Sequence, residues 1–191
     1  MKALILAGGK SRRMKTDKLL LMRNSQFLVS PLIEILLEKK FEVFISRSKN
    51  QSAFDPLTSS KVILDQHENK GPLGGIYSAM HFAPNDPWLI LSCDLYGLKM
   101  EVIEELIQKR DPSMDGTFAF NKLRQTIEPL CGIWEPSNFL FIKDSLDLDH
   151  CSVFRYLQTR SVKSVSIDSP EALINVNTRQ ELSQLDLLEN G

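Results

Sequence analysis

The chain has 191 residues, of which 42% are hydrophobic and 25% charged, and its formal net charge at pH 7 is −1. This composition is typical of one globular domain that folds without disulfides or metals, and the near-zero charge argues against a protein with a generally basic, nucleic-acid-binding surface. No apolar run reaches membrane-spanning length, no signal-peptide core is visible and the three cysteines lack CxxC spacing, so we expect a cytoplasmic protein that binds neither nucleic acid nor membrane.

The first predicted element carries the strongest functional signal. An apolar run over residues 3–7 predicts a buried strand, and it leads into Gly8 and Gly9, which leave backbone N–H groups accessible. Four cations (Lys10, Arg12, Arg13 and Lys15) and then Asp17-Lys18 follow the glycines. Accessible amides beside such a cluster of cations predict a site for a polyanion, most simply a phosphate chain.

Two well-known phosphate motifs do not fit this loop. A P-loop needs a glycine where Leu4 stands, and the dinucleotide fingerprint needs a third glycine that positions 10–12 lack. A tight turn with a solvated basic face is the simpler alternative. The paired arginines and Asp17-Lys18 favour phosphate binding over that alternative.

Strands and helices alternate along the rest of the chain. Apolar patterns predict strands at 3–6, 43–45, 62–64, 88–91, 116–120, 130–134 and 162–167. They predict helices at 27–39, 76–82, 100–109, 138–146 and 153–159, and a last helix that opens at Thr178. Residues 48–60 are expected to form a polar loop or short irregular helix, and 71–75 a glycine-rich turn. This order predicts an α/β fold with a mainly parallel sheet covered by helices on both faces.

Ligands of such sheets bind at the carboxyl ends of the strands, where the basic loop, Asp65 and Asp94 should meet. Asp94 ends a continuous apolar strand, and Mg²⁺ prefers carboxylate and phosphate oxygens, so Asp94 is the metal candidate, with a turn-capping aspartate as the alternative. Asp65 suits the N–H edge of a base or a sugar hydroxyl, with an Asx turn equally plausible. Gly74 and Gly75 could let a flat ring lie against the backbone.

Residues for covalent catalysis are not visible in the sequence. No Ser-His-Asp or Cys-His pair can be assembled from neighbouring motifs, and Cys131 and His81 fit structural roles better. A phosphate nucleophile is already an anion and needs no general base. Catalysis could then depend on positioning, charge neutralisation and a metal ion.

Together, the motifs resemble those of the molybdenum cofactor guanylyltransferases, a family in the nucleotidyltransferase superfamily. The matching positions occur in family order from residue 3 to about 182: Leu6 to Gly9, Ser11 to Met14, Asp17-Lys18, Asp65, Gly71 to Ile76, Cys93-Asp94, Asn175 to Thr178 and Glu181-Leu182. The resemblance implies a Rossmann-like three-layer sandwich in one domain, 1–191. Its N-terminal half, to about residue 97, would bind nucleotide, and its C-terminal half the acceptor.

The resemblance also implies an activity: transfer of GMP from GTP to the phosphate of molybdopterin, with Mg²⁺ and release of pyrophosphate. Other cofactor-biosynthesis proteins and apo-molybdoenzymes would be its protein partners. The implied nucleotide-binding residues are Leu6, Ala7, Gly8, Gly9, Lys18, Ser46, Asp65, Gly74 and Asp94. Arg13, Lys18 and Asp94 would be catalytic, Asp94 would bind the metal, and Asn175 and Asn177 would bind the acceptor.

Three positions depart from the family pattern. Lys15 replaces the usual glycine, residues 24–26 replace a Gly-Lys-Pro turn, and Ser46 stands where some members have asparagine. Two alternatives stay open: a related transferase that uses CTP or a sugar or alcohol phosphate, and a nucleotide-binding regulator without turnover.

Overall fold

The computed structural model describes residues 1–7, 19, 22–23, 26–49, 51, 60–95, 97–168 and 170–174. The strands of this part of the chain are β1 (Lys2–Leu6), β2 (Met22–Arg23), β3 (Gln26–Phe27), β4 (Glu42–Arg47), β5 (Lys61–Leu64), β6 (Trp88–Ser92), β7 (Gly116–Asn121), β8 (Thr126–Trp134) and β9 (Val162–Ser166). Seven of them form one sheet in the order β5-β4-β1-β6-β8-β7-β9, and β2 and β3 pair separately as a small hairpin that the sequence did not predict.

The large sheet is mainly parallel, as predicted. β1 pairs in parallel with β4 and β6, β4 with β5, and β7 with β9, whereas β8 runs antiparallel to both of its neighbours. The apolar residues of β1 and β6 are buried because these central strands are covered on both faces. The predicted edge position of the 162–167 strand is confirmed by β9.

Helices cover both faces of the sheet and complete a three-layer sandwich. They are α1 (Ser30–Glu38), α2 (Gly71–Phe82), α3 (Met100–Gln108), α4 (Asn138–Asp147), α5 (Val153–Leu157) and a 3₁₀ helix (Pro170–Leu173). Leucines and isoleucines of α1 and α3 pack in one apolar cluster, and apolar residues of α2, α4 and α5 pack in a second cluster on the opposite face. None of the helices in the described ranges is long and apolar enough to cross a membrane.

The predicted turn over residues 71–75 is wrong, because α2 already begins at Gly71. Gly71 has φ of 62°, which turns the chain into the helix, and Pro72 fits the first helical turn, where its missing N–H has no partner to lose. Gly74 and Gly75 therefore lie inside a helix, where each glycine costs about 1 kcal/mol relative to alanine. A glycine retained at this cost indicates that another part of the chain approaches the helix closely at that position.

β8 is longer than predicted, since it begins at Thr126 and not at Leu130. Its pairing with β7 is interrupted: Phe118 pairs with Gly132, but Phe120 pairs with Ile127. Residues 128–131 therefore bulge opposite a single residue of β7, and Pro129, which cannot donate to the ladder, lies in the bulge. The predicted helix from Thr178 lies outside the described residues, as does most of the 48–60 segment.

Candidate functional site

The candidate site lies at the carboxyl ends of the central parallel strands. From β1 the chain passes through α1 to β4 and then to β5, and it returns through α2 to β6 on the other side of β1. This reversal of direction opens a crevice beside β1, the usual ligand position in such sheets. Leu6 is in register with Ser46 on one side and Ser92 on the other, and the Cys93 N–H donates to the Leu6 carbonyl at 3.2 Å.

Asp65 and Ser46 form a buried pair on one side of the crevice. The Ser46 hydroxyl donates to Oδ1 of Asp65 at 2.7 Å, and the two residues are 1% and 8% exposed. Burial raises the pKa of the Asp65 carboxyl, and the Ser46 hydrogen bond offsets part of that shift. The Asp65 N–H donates to the Arg47 carbonyl at 2.8 Å, so the backbone that carries this carboxylate is fixed.

Ser78 attaches the Asp65 loop to α2. Its hydroxyl accepts the Gln66 N–H at 2.9 Å and donates to the Gly74 carbonyl at 2.8 Å, one turn earlier in the helix. A second pair of hydrogen bonds holds the end of β1. The side-chain amide N–H of Gln51 donates to the Ala7 carbonyl at 3.2 Å, and the side-chain oxygen of Gln51 accepts the Ser48 N–H at 2.9 Å. Sequence reasoning missed Ser78 and Gln51, because both act through loop contacts that no motif marks.

The two central glycines of α2 face different surroundings. A Cβ on Gly75 would lie 2.5 Å from the Ser46 hydroxyl, 2.9 Å from a Leu6 methyl and 3.3 Å from Oδ1 of Asp65. A Cβ on Gly74 would instead lie 3.0 Å from the His67 carbonyl and 3.2 Å from the Lys70 side chain. Gly75 is therefore the glycine that lies against the crevice. The predicted nucleotide contact of Gly74 stays a prediction.

Asp94 lies on the other side of the crevice, two residues after the end of β6. Glu128, in the β8 bulge, is a buried carboxylate. Burial is the main factor that raises the pKa of Glu128, while the Arg124 charge lowers this pKa and the Asp94 charge raises it. The sequence analysis did not single out Glu128, because the predicted strand began at Leu130.

Cys131 lies in the core and not in the crevice. Cys131 is fully buried in the apolar cluster beneath α1 and α3, and burial raises the pKa of its thiol far above the usual range. Its predicted structural role is confirmed. None of Cys93, Cys131 and Cys151 forms a disulfide, as the sequence predicted. Within the described residues, moreover, no three His, Cys, Asp or Glu side chains are grouped closely enough to hold a metal ion by themselves.

Several predicted site residues lie outside the described residues. These are Gly8, Gly9, Arg13, Lys15 and Lys18 of the N-terminal loop, and Asn175 and Asn177 near the C-terminus. Their assigned roles stay predictions. The structure brings together Leu6, Ser46 and Asp65 from the predicted set, adds Gly75, and places Asp94 at the same edge of the sheet.

We expect Asp65→Asn to stabilise the protein at neutral pH. Because the pKa of Asp65 is raised on folding, the folded state binds its proton more tightly, and this stabilisation is lost as pH rises from the ordinary aspartate range through the raised value. Asparagine carries no charge and still accepts the Ser46 hydrogen bond. The melting temperature of the variant minus that of the parent should therefore increase between about pH 4 and pH 8. A difference that shrinks over this range would contradict the assignment.

Comparisons of the sequence with known proteins identify the family of the chain. A family model described as a MobA-like NTP transferase domain matches residues 3–155. A probable molybdenum cofactor guanylyltransferase of Flavobacterium johnsoniae is 32% identical over 96% of this chain and 95% of its own length. A molybdenum cofactor guanylyltransferase of Syntrophotalea carbinolica is 30% identical over 95% of this chain and 89% of its own length. The chain spans only 53% of a molybdenum cofactor biosynthesis bifunctional protein of Synechocystis sp., to which it is 30% identical.

Solved structures support the fold. The molybdopterin-guanine dinucleotide biosynthesis protein A of Archaeoglobus fulgidus matches with a TM-score of 0.78 at 20% identity, over 100% of this chain and 99% of that one. A 4-diphosphocytidyl-2C-methyl-D-erythritol synthase matches with a TM-score of 0.67 at 11% identity, over 98% of both chains. The predicted Rossmann-like architecture is confirmed. Since the family model and the relatives together cover most of the sequence, the chain belongs to the MobA-like NTP transferase domain family, as its motifs predicted.

Proposed function

We propose that the protein transfers GMP from GTP to the terminal phosphate of molybdopterin. An acceptor phosphate oxygen bonds to the α-phosphorus of GTP, the bond from that phosphorus to the β-phosphate bridging oxygen breaks, and pyrophosphate leaves. The observation that carries this proposal is the 32% identity to a probable molybdenum cofactor guanylyltransferase over 95% of that relative. The crevice beside β1 supplies the setting for this chemistry.

Asp65, Ser46 and Gly75 would form the nucleoside side of the site. A carboxylate only accepts hydrogen bonds, so Asp65 suits N–H groups of guanine or a ribose hydroxyl. Ser46 fixes one carboxylate oxygen, which orients the group before the nucleotide arrives. The missing side chain at Gly75 leaves the helix backbone close to Leu6 and Asp65, so a flat ring could pack there.

Asp94 would hold Mg²⁺ on the phosphate side. Mg²⁺ commonly binds one or two protein carboxylates together with substrate phosphate oxygens, and a site without three grouped protein ligands in the described residues fits this mode. When bound, the ion would neutralise charge on the triphosphate and the leaving pyrophosphate. Arg13 and Lys18 would add positive charge there, and Asn175 and Asn177 would contact the pterin.

The acceptor phosphate needs no side chain of the protein to activate it as a nucleophile. This phosphate is an anion at neutral pH, so the protein needs to position it in line with the α-phosphate and to reduce the repulsion between the two. Catalysis would then come from orientation and electrostatic stabilisation of the transferring group.

We expect GTP with Mg²⁺ to raise the melting temperature more than ATP, CTP or UTP. A ligand at about 100 times its dissociation constant adds about 2.7 kcal/mol of stability, which corresponds to roughly 5–10 °C for a chain of this size. Differential scanning fluorimetry with the four nucleotides measures this order. A larger shift with CTP would contradict the guanine assignment.

A turnover assay then separates an enzyme from a regulator. We expect pyrophosphate release from GTP only when molybdopterin is present, together with a guanine dinucleotide product detected by chromatography. Binding of GTP without release of pyrophosphate in the presence of molybdopterin would favour a nucleotide-binding regulator.

A further inference from the structure

Three small residues of α2 lie on the side of the helix that faces the ends of β4 and β5. Gly74, Gly75 and Ser78 are spaced so that they share one helical face, and all three are buried. Gly74 lies against the loop after Asp65, and Gly75 lies against Ser46. The small size of these residues therefore lets α2 approach this side of the crevice closely.

Ser78 joins this helix face to the loop that follows β5. Its hydroxyl donates its single hydrogen to the Gly74 carbonyl at 2.8 Å, and an oxygen lone pair accepts the Gln66 N–H at 2.9 Å. The first bond alone is common for a serine inside a helix. The second bond reaches a different part of the chain, because Gln66 is next to Asp65 and lies beyond the last residue of β5, Leu64. Ser78 is 1% exposed, so its hydroxyl is shielded from water.

The Asp65 carboxylate is fixed by three hydrogen bonds that come from different elements. The Asp65 N–H donates to the Arg47 carbonyl of β4, and the next N–H, of Gln66, donates to Ser78 of α2. A third hydrogen bond, 2.7 Å long, runs from the Ser46 hydroxyl to the carboxylate itself. Sheet and helix therefore hold two successive N–H groups beside this side chain, and loss of the helix bond would let the carboxylate move relative to α2.

We propose that Ser78 is a positioning residue of the nucleotide site, which fixes the Asp65 carboxylate relative to the backbone of α2 at Gly75. Ser78 acts through Asp65 and does not touch the nucleotide, since its hydroxyl is buried and already bonded to two backbone groups. The inference rests on the proposed function, because Asp65 and Gly75 are the residues that would hold the nucleoside. It adds a residue that no motif of the sequence marks.

The test is isothermal titration of the full chain and of its Ser78→Ala variant with GTP. We expect the variant to bind GTP about tenfold more weakly, because a small displacement of the carboxylate weakens its hydrogen bonds to the nucleoside. The maximal rate at saturating GTP and molybdopterin should stay within about twofold of the parent rate, since the phosphate side of the site is unchanged. Unchanged affinity for GTP in Ser78→Ala would overturn the inference.

The matched control is Thr117→Val, which also removes a buried hydroxyl that accepts a backbone N–H. Thr117 is 0% exposed, and its Oγ1 accepts the Asp111 N–H at 3.1 Å. It lies near the start of β7, at the edge of the sheet opposite the crevice. Both variants should lower the melting temperature, but only Ser78→Ala should weaken GTP binding. An equal loss of GTP affinity in the two variants would show that Ser78 acts through stability alone, and the inference would be wrong.

A double variant tests whether Ser78 acts through Asp65. Ser46→Ala and Ser78→Ala each remove one of the bonds that fix the same carboxylate, so their effects on GTP affinity should not be independent. We expect the double variant to bind GTP within about threefold of the weaker single variant, whereas independent tenfold effects would multiply to about 100-fold. The multiplied loss would contradict a shared action on Asp65.

These outcomes differ from those that bear on the proposed function. If the parent binds CTP and not GTP, the guanine assignment fails, and the same variants decide the role of Ser78 with CTP. If the parent binds none of the four nucleotides, Ser78 positions no nucleotide and the inference is wrong. The affinity measurements need no turnover, so a nucleotide-binding regulator would give an equally clear answer.

Discussion

Asp94→Asn should reduce GMP transfer by about 1,000-fold, with little change in the fold. Asparagine has the same shape as aspartate but lacks the charge that holds a divalent cation against the triphosphate. Asp94 follows the last residue pairs of β6 at the crevice, so the substitution acts where the reacting phosphates would lie. The rate of pyrophosphate release from GTP, with Mg²⁺ and molybdopterin present, measures the loss.

The matched control for this variant is Asp86→Asn, at the opposite end of the same strand. Asp86 forms an ion pair with Lys2 at 2.8 Å, and its side chain is 42% exposed. Removal of such a surface pair should cost less than about 1 kcal/mol and leave the transfer rate unchanged. Full activity in Asp94→Asn, or an equal loss in both variants, would disprove the metal role of Asp94.

Gly75→Ala should weaken GTP binding by about tenfold or more and lower stability by about 1–3 kcal/mol. The new methyl group would lie 2.5 Å from the Ser46 hydroxyl and 2.9 Å from a Leu6 methyl, so either α2 or the Ser46–Asp65 pair must move. Either movement disturbs the carboxylate that the nucleoside would contact. Isothermal titration with GTP and a thermal melt measure the two effects separately.

Two further variants test whether the effect on GTP binding is specific to position 75. Gly116→Ala puts a methyl group 2.7 Å from the Ile133 carbonyl, away from the crevice, and should reduce stability without changing GTP affinity. Gly74→Ala tests which helix glycine faces the nucleotide, since its methyl group would meet the His67 carbonyl. Loss of affinity in Gly74→Ala together with normal affinity in Gly75→Ala would contradict the position that we assign to the nucleotide.

The sequence was sufficient to place residues that closely follow a strand. The apolar runs over 62–64 and 88–91 predict parallel strands, and a carboxylate after such a run lies at the ligand edge of the sheet. The positions of Asp65 and Asp94 at this edge could therefore be predicted, and their functional roles stay predictions. The helical position of Gly74 and Gly75 could not, because local propensity favours a turn for this segment. The close approach of Ser46, far away in sequence, explains why the helix carries a glycine at position 75, where a Cβ would lie 2.5 Å from the Ser46 hydroxyl.

The first residues of β8, which include Glu128, could not be predicted from the sequence pattern. Pro129 interrupts the strand pattern, so the predicted strand began at Leu130 and excluded the glutamate. The start of β8 at Thr126 and the bulge over residues 128–131 depend on pairing with β7, and these are properties of the assembled sheet. Residue spacing within one segment carries no information about any of them.

The reversed direction of β8 also separates two kinds of evolutionary change. Asp94 follows β6, a central strand whose end cannot move without rearranging the sheet, and Asp65 follows the edge strand β5, which is held by its parallel pairing with β4. Glu128 instead follows the short turn over 122–125, which connects β7 to β8 at the surface. Insertions or deletions in that turn would shift the start of β8 while the Ser46–Asp65 pair stays in place. The two ends of the sheet can therefore change independently in evolution.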